Sequence, residues 1–239
     1  MTPNDSMKLR RSFNSAPERY DRVRPGYPSE VFDDLAALAE LEAGSRVLEI
    51  GCGTGQATVA LTERGYHVIA VELGSELAAF ARRRLAAYPD VEVIVSSFED
   101  WPLPAQGFDA VVSATAFHWI DPAVRVHKAA QSLRPGGSLA IIETRRIPIG
   151  SEQFLSNLWR CHERWDPTTK PARKPATGEP PESWIEVARS GLFDRVTSRR
   201  YEWEQEYTTN QFLDLLMTFS SVLVLDPTQQ AGLLRCLGN

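Results

Sequence analysis

The segment Glu49-Ile50-Gly51-Cys52-Gly53-Thr54-Gly55 sets a carboxylate beside three glycines at alternate positions. Glycines in such a run let the backbone turn sharply and let a ligand approach closer than any Cβ would allow. The spacing is G-x-G-x-G, not the G-x-G-x-x-G of a dinucleotide fingerprint. Glu49 precedes the first glycine by two residues, where its charge would repel a pyrophosphate and attract an ammonium group. A second acid, Glu72, closes the apolar run HVIAVE. An acid ending a second strand can accept hydrogen bonds from both hydroxyls of a ribose.

These residues need elements to hold them, and the flanking pattern supplies them. Arg46–Ile50 reads as a buried strand, residues 56–64 as a helix stopped by Gly65, and His67–Glu72 as a second strand. Ser75 caps a helix whose Leu77, Phe80, Ala81 and Leu85 recur at helical spacing. Val91–Val95 and residues 108–113 are further strands. Asp121-Pro122, an N-cap followed by Pro, opens a helix running to Leu133. Pro135-Gly136-Gly137 then turns the chain into a fifth strand over residues 138–143. Strands alternating with helices imply an α/β doubly wound, mostly parallel sheet with helices on both faces, because each parallel crossover takes a helix-length connection. Its binding crevice lies at the carboxyl ends of the strands, where both acids sit. A ligand with an ammonium near Glu49 and a ribose near Glu72 is S-adenosylmethionine; NAD satisfies the second acid and not the first.

The rest of the chain divides around this core. Residues 1–28 form a polar, basic and aromatic arm or lid, and Ser29 caps the helix that opens the core over 29–145. Residues 146–191 are a helical and Pro-rich insertion or cap, with a helix over 151–165 and a mobile lid over 166–181. Residues 192–239 complete the same domain, with a long strand over 193–207 and helices near 210–221 and 227–237. At 239 residues, 43% hydrophobic and 24% charged, the chain has a globular composition. The net charge of −5 argues against nucleic acid or anionic lipid as a partner. Cys52, Cys161 and Cys236 are too few and too scattered for a disulfide framework, and no spacing suggests a metal site. No apolar run is long enough for a membrane span, and no secretory signal opens the chain, so the cytoplasm is the expected location.

VLEIGCGTG, the acid ending the second strand, SSFEDWPLP, FDAVVSATAFHWID and LRPGG together resemble the class I S-adenosylmethionine-dependent methyltransferases. Within them the chain is similar to the small-molecule branch of trans-aconitate-methyltransferase-like (methyltransferase type 11) proteins, through its YDRVRPGYP opening and its FHW segment. The resemblance is close from Phe13 to Glu143 and loose beyond. It implies that Glu49 holds the methionine amine, Gly51 and Gly53 admit the methionine end, and Glu72 takes the ribose hydroxyls; Gly55, closing the loop, is a cofactor-binding candidate with them. Leu73 would lie against the adenine, with Ser97 and Phe98 at its edge. Many members carry an acid at the position of Ser97, so this chain departs from the commoner pattern. Thr115 would contact the ligand near the methyl donor. By their own chemistry Tyr20, Arg24 and Tyr27 either close over the ligand, Arg24 suiting a carboxylate and the tyrosines a cation, or belong to an arm packed on the domain. These proteins usually end in a seventh, antiparallel strand, which this sequence does not show; a monomer or a homodimer paired through the 193–207 edge is then expected.

His118 follows the fourth strand and is the candidate general base, since a histidine can accept a proton near neutral pH; the other reading is that it fixes the loop by a hydrogen bond. It matters if the acceptor carries a proton and not if the acceptor is a carboxylate. Arg145, Arg146, Lys170, Arg173 and Lys174 make an anionic small molecule a plausible acceptor. The rival readings are a non-catalytic nucleotide-binding regulatory module and an NAD(P)-dependent oxidoreductase. Against the latter stand Glu49, the loop spacing and the lack of a Tyr-x-x-x-Lys pair.

Overall fold

A computed structural model of the chain describes residues 10, 13–171, 174, 176 and 179–238. They fall into two compact units.

The larger unit, Gly26–Glu143 with Pro180–Glu204, is built on five strands. These are β1 (Arg46–Ile50), β2 (His67–Glu72), β3 (Val91–Val95), β4 (Phe108–Ala114) and β5 (Leu133–Ile142). All four pairings are parallel, in the order β3-β2-β1-β4-β5. Period-two alternation sends Val47, Val68, Ala70, Ala110 and Val112 into one apolar layer. Leu48, Val71 and Val111 enter the opposite one. The first layer is completed by α2 (Ser29–Leu38), α3 (Gln56–Thr62) and α4 (Ser75–Arg84), through Phe32, Leu61, Ala78 and Ala81. Val126 and Ala129 of α5 (Arg125–Ser132) and Val187 of α7 (Glu182–Ser190) cover the second. A bidentate ion pair from Arg125 to Glu186 joins those two helices. The strand order reverses between β1 and β4, so a crevice opens at their carboxyl ends, where parallel sheets bind ligands.

Several sequence expectations are corrected here. The fifth strand begins at Leu133 and not after the Pro-Gly-Gly turn; Pro135-Gly136-Gly137 lies inside β5, with a register irregularity opposite Phe108 and Ala110. A side chain at Gly137 would come within 2.9 Å of the Phe108 carbonyl, so the glycine lets that irregular edge close. Residues 193–207 form no strand. Alternation such as that of Tyr201 and Trp203 suggests a strand, but no neighbouring strand pairs with the segment among the described residues. Phe193 and Val196 pack on the second apolar layer, and Tyr201 donates from its hydroxyl to Asp34. The helix expected from Asp121 starts at Arg125, after a turn in which the Asp121 carboxylate accepts from Ala123 N. Pro28, not Ser29, occupies the N-cap of α2.

The smaller unit comprises the described residues up to Pro25, from Thr144 to Glu179 and from Gln205 onward. It is helical: α1 (Pro17–Val23), α6 (Glu152–Trp165), α8 (Thr209–Leu216), α9 (Ser220–Leu223) and α10 (Pro227–Gly238). Ser151 caps α6 by accepting from Phe154 N, and Thr208 with Gln211 forms a reciprocal capping box on α8. The helix expected over 210–221 is broken at Met217–Phe219 into α8 and α9. Cys161 and Cys236 form a disulfide between α6 and α10, against the expectation from spacing. They lie 75 residues apart, a separation that carries no signal, and the packing of the two helices around Leu233 unites them. Within the expected lid, Arg173 and Pro175 lie outside the described residues, as do Lys8 and Arg11 of the arm.

Candidate functional site

Ten of the residues singled out by sequence lie in the sheet unit: Glu49, Gly51, Gly53, Gly55, Glu72, Leu73, Ser97, Phe98, Thr115 and His118. The loop after β1 takes the shape its glycines allow, with Gly51, Gly53 and Gly55 at φ values of +74°, +57° and +87°. Only glycine adopts this left-handed region without steric cost. Gly51 is doubly constrained. A side chain there would place its Cβ 2.4 Å from the Cβ of Ala116, on the loop after β4. Gly51 N donates to Val71 O at 2.8 Å, and Ser113 Oγ donates to Ile50 O at 3.1 Å, so β2 and β4 both grip the start of the loop.

Glu49 is 1% exposed, at the end of β1. Its Oε2 has no hydrogen-bond partner, and neither does the buried hydroxyl of Thr54 beyond it in the loop. Burial raises the Glu49 carboxyl to about 7; the Thr58 hydroxyl pulls it down and the nearby Glu72 carboxylate pushes it up. A buried carboxylate oxygen without a donor is costly, and a hydrogen-bond donor or a cation that reached it would relieve that cost. The same burial, with the charges of Glu49 and Glu72, pushes the Cys52 thiol well above its ordinary value and makes it a packing residue, not a nucleophile.

Glu72 adds a feature that the sequence did not reveal. Its Oε2 accepts from Gly53 N at 2.9 Å and its Oε1 from Gly74 N at 2.8 Å. One carboxylate therefore ties the glycine loop to the turn leading into α4. Leu73, next in sequence, is half-buried beside it.

Ser97 and Phe98 follow β3. The Ser97 hydroxyl donates to Asp100 Oδ2 at 2.6 Å and accepts from Asp100 N at 3.1 Å, closing the turn locally. The S-x-x-D spacing that marks such a turn was present in the sequence. The Phe98 ring, 2% exposed, is a core side chain packed with Trp101 and Phe108, with the Lys128 ammonium 5.4 Å from its centroid. Both side chains are thus engaged within the protein, the hydroxyl in the turn and the ring in the core.

Thr115 is one of two non-glycine residues with positive φ among the described residues, at +58°. For a β-branched residue this costs on the order of 1–2 kcal/mol, and such outliers concentrate at functional sites. Its N–H donates to Ile142 O at 2.7 Å, and its hydroxyl lies 3.0 Å from the hydroxyl of Tyr27. His118 is exposed on a short 3-10 turn, Phe117–Trp119, with its ring 4.8 Å from that of Trp119.

Tyr20 and Arg24 lie in the helical unit. Arg24 donates from Nε to Thr218 Oγ1 at 2.8 Å and from Nη2 to Thr218 O at 2.6 Å. Its guanidinium stacks 4.8 Å from the centroid of Tyr20 and 4.9 Å from that of Phe219. Among the described residues no cluster of His, Cys, Asp or Glu could hold a metal ion, and no helix is long and apolar enough to cross a membrane.

Comparison with known proteins adds the following. Residues 47–137 match the model of a family described as a methyltransferase domain. An uncharacterized methyltransferase of Mycobacterium tuberculosis is 33% identical over 219 residues, covering 91% of this chain and 80% of that protein. A ubiquinone biosynthesis O-methyltransferase of Xanthomonas oryzae pv. oryzae is 32% identical over 180 residues, covering 71% of this chain and 72% of that one. Among solved structures, a SAM-dependent methyltransferase from Geobacter sulfurreducens in complex with S-adenosyl-L-homocysteine aligns with a TM-score of 0.42. It is 23% identical over 57% of each chain.

Proposed function

The chain belongs to the class I S-adenosylmethionine-dependent methyltransferases, and we propose that it moves a methyl group to an oxygen, carboxylate or hydroxyl, of a small-molecule acceptor. The observation that carries the reading is the buried, unpartnered carboxylate oxygen of Glu49 beside a loop that only glycines can form. That oxygen fits the ammonium of the donor's amino acid end. Gly51 and Gly53 leave room for that end, and the Glu72 carboxylate, fixed at the strand end beside the loop, fits the ribose hydroxyls. Leu73 offers an apolar face to the adenine, and the backbone at Ser97 and Phe98 offers its edge a polar contact. Thr115 stands at the methyl end.

The donor, when bound, supplies a sulfonium methyl group open to displacement by a nucleophile in line with the departing sulfur. What the protein does is to orient the two partners and exclude water, a proximity effect that can supply about 7–11 kcal/mol of the barrier. A carboxylate acceptor needs no base. A hydroxyl acceptor must lose its proton, and His118, exposed beyond β4, is the side chain for that role. The acidic chain offers no basic field for nucleic acid. The resemblance to the trans-aconitate branch bears on the same choice of a small acceptor.

The test is transfer of a radiolabelled methyl group from S-adenosylmethionine into an extract of small metabolites, followed by identification of the labelled product. A labelled small molecule supports the reading. Binding of the donor with no transfer to any extract would favour the regulatory module. Once the acceptor is known, an unchanged rate in His118→Ala removes the base from the mechanism.

A further inference from the structure

Thr115 holds a backbone conformation that its β-branched side chain disfavours, and something must hold it there. Two hydrogen bonds hold it, and its neighbour abuts the glycine loop. The Thr115 N–H is fixed to β5 through Ile142 O, its hydroxyl is hydrogen-bonded to the Tyr27 hydroxyl, and the next residue, Ala116, lies where a side chain at Gly51 would collide. Tyr27 is itself anchored: its ring meets Phe32 of α2 edge-on at 6.1 Å and packs on the apolar layer that contains Val47 and Ala57. A contiguous path therefore runs from the segment before α2, through one hydroxyl pair, to the first glycine of the loop beside Glu49.

The geometry points to Tyr27 as a positioning residue of the donor site. Acting through the Thr115 side chain, it keeps the Thr115–Ala116 corner pressed on Gly51 and so sets the shape of residues 51–55. This rests on the reading that the loop takes the amino acid end of S-adenosylmethionine. A tyrosine held only for packing would tolerate loss of its hydroxyl, because the ring supplies the burial; a positioning tyrosine would not.

The experiment compares wild type, Tyr27→Phe, Thr115→Gly and the double variant in two assays. Calorimetry with S-adenosylmethionine reads affinity, and amide hydrogen exchange reads the loop without any ligand. Loss of one neutral hydrogen bond corresponds to a factor of about 2–12. Tyr27→Phe should therefore weaken the donor about 3- to 10-fold. It should also speed exchange at residues 51–55 while β1 to β3 stay protected. Thr115→Gly keeps the left-handed turn without strain but removes the hydroxyl that Tyr27 reaches. In that background Tyr27→Phe should have no further effect on either assay. Equal loop exchange in Tyr27→Phe and wild type, or additive effects in the double variant, would overturn the inference. Failure of the wild type to bind the donor would instead sink the functional reading, and the exchange data would still decide the role of Tyr27. Should Tyr27→Phe prove too unstable to measure, Thr115→Val, which removes the same hydrogen bond from the other side, must reproduce the loop-specific exchange.

Discussion

If Glu49 receives an ammonium group, donor binding must be coupled to protons in a way its burial determines. The folded, ligand-free carboxyl sits at about 7. At pH 6 it is therefore about nine-tenths protonated. Pairing with a cation requires the ionised form, so each donor bound at pH 6 should release about 0.9 proton, and affinity should fall about tenfold per pH unit below 7. Above about pH 8 the donor's own α-amine loses its proton and affinity falls again, giving a bell. Titration calorimetry at pH 6 in buffers of different ionisation enthalpy counts the protons directly. Glu49→Gln should release none and bind about 10- to 150-fold more weakly, the range of one charge-assisted hydrogen bond. Stability gives a second handle on the same group. A carboxyl raised from 4.5 holds, between about pH 4.5 and 7, a proton that the unfolded chain has released. Unfolding free energy therefore falls by about 3 kcal/mol as pH rises through that window and is flat outside it. Glu49→Gln removes this slope. It should match wild type near pH 4 and exceed it by up to about 3 kcal/mol at pH 8, a gain of about 2–4 °C in midpoint per kcal/mol. Proton release near zero in wild type at pH 6, with the donor bound, would refute the pairing of Glu49 with the ammonium.

Three further outcomes follow from the contacts. Gly51→Ala must displace Ala116 and force a side chain into a left-handed turn; a stability loss of about 2–3 kcal/mol in denaturant unfolding and loss of donor binding in calorimetry are expected. Glu72→Gln keeps one acceptor but sets its NH2 against one of the two backbone donors, Gly53 N or Gly74 N, so donor affinity should drop about 10- to 100-fold in the same assay and the thermal midpoint should fall by about 2–12 °C. Paired replacement of Cys161 and Cys236 by serine should cost about 2–4 kcal/mol in denaturant unfolding under oxidising conditions, and no difference from wild type should remain once both are treated with reductant.

Much of the sheet unit was legible in the chain because its signals are local. A run such as RVLEI, buried along its length, is apolar enough to be recognised alone, and a G-x-G-x-G turn needs nothing beyond its own φ values. The two acids were legible as strand endings, since alternation and length fix where a strand stops. Where local signals conflict or fall silent, the sequence misleads. Residues 193–207 look extended, but a strand is a pairing, and no neighbouring strand pairs with them among the described residues. The LRPGG segment carries turn residues, yet the close approach of the Phe108 carbonyl makes Gly137 part of an irregular strand.

What the sequence determined by itself was the order of strands and helices from β1 to β5, the glycine loop and the two carboxylates at its borders, because sterics and hydrophobic periodicity act within a few residues. The tertiary structure decided how those carboxylates behave. It buried Glu49 without a partner, turned Glu72 onto the loop amides, set Tyr27 on Thr115 and joined Cys161 to Cys236. Each of these depends on solvent exclusion or on contact between residues far apart in the chain, which no local pattern encodes.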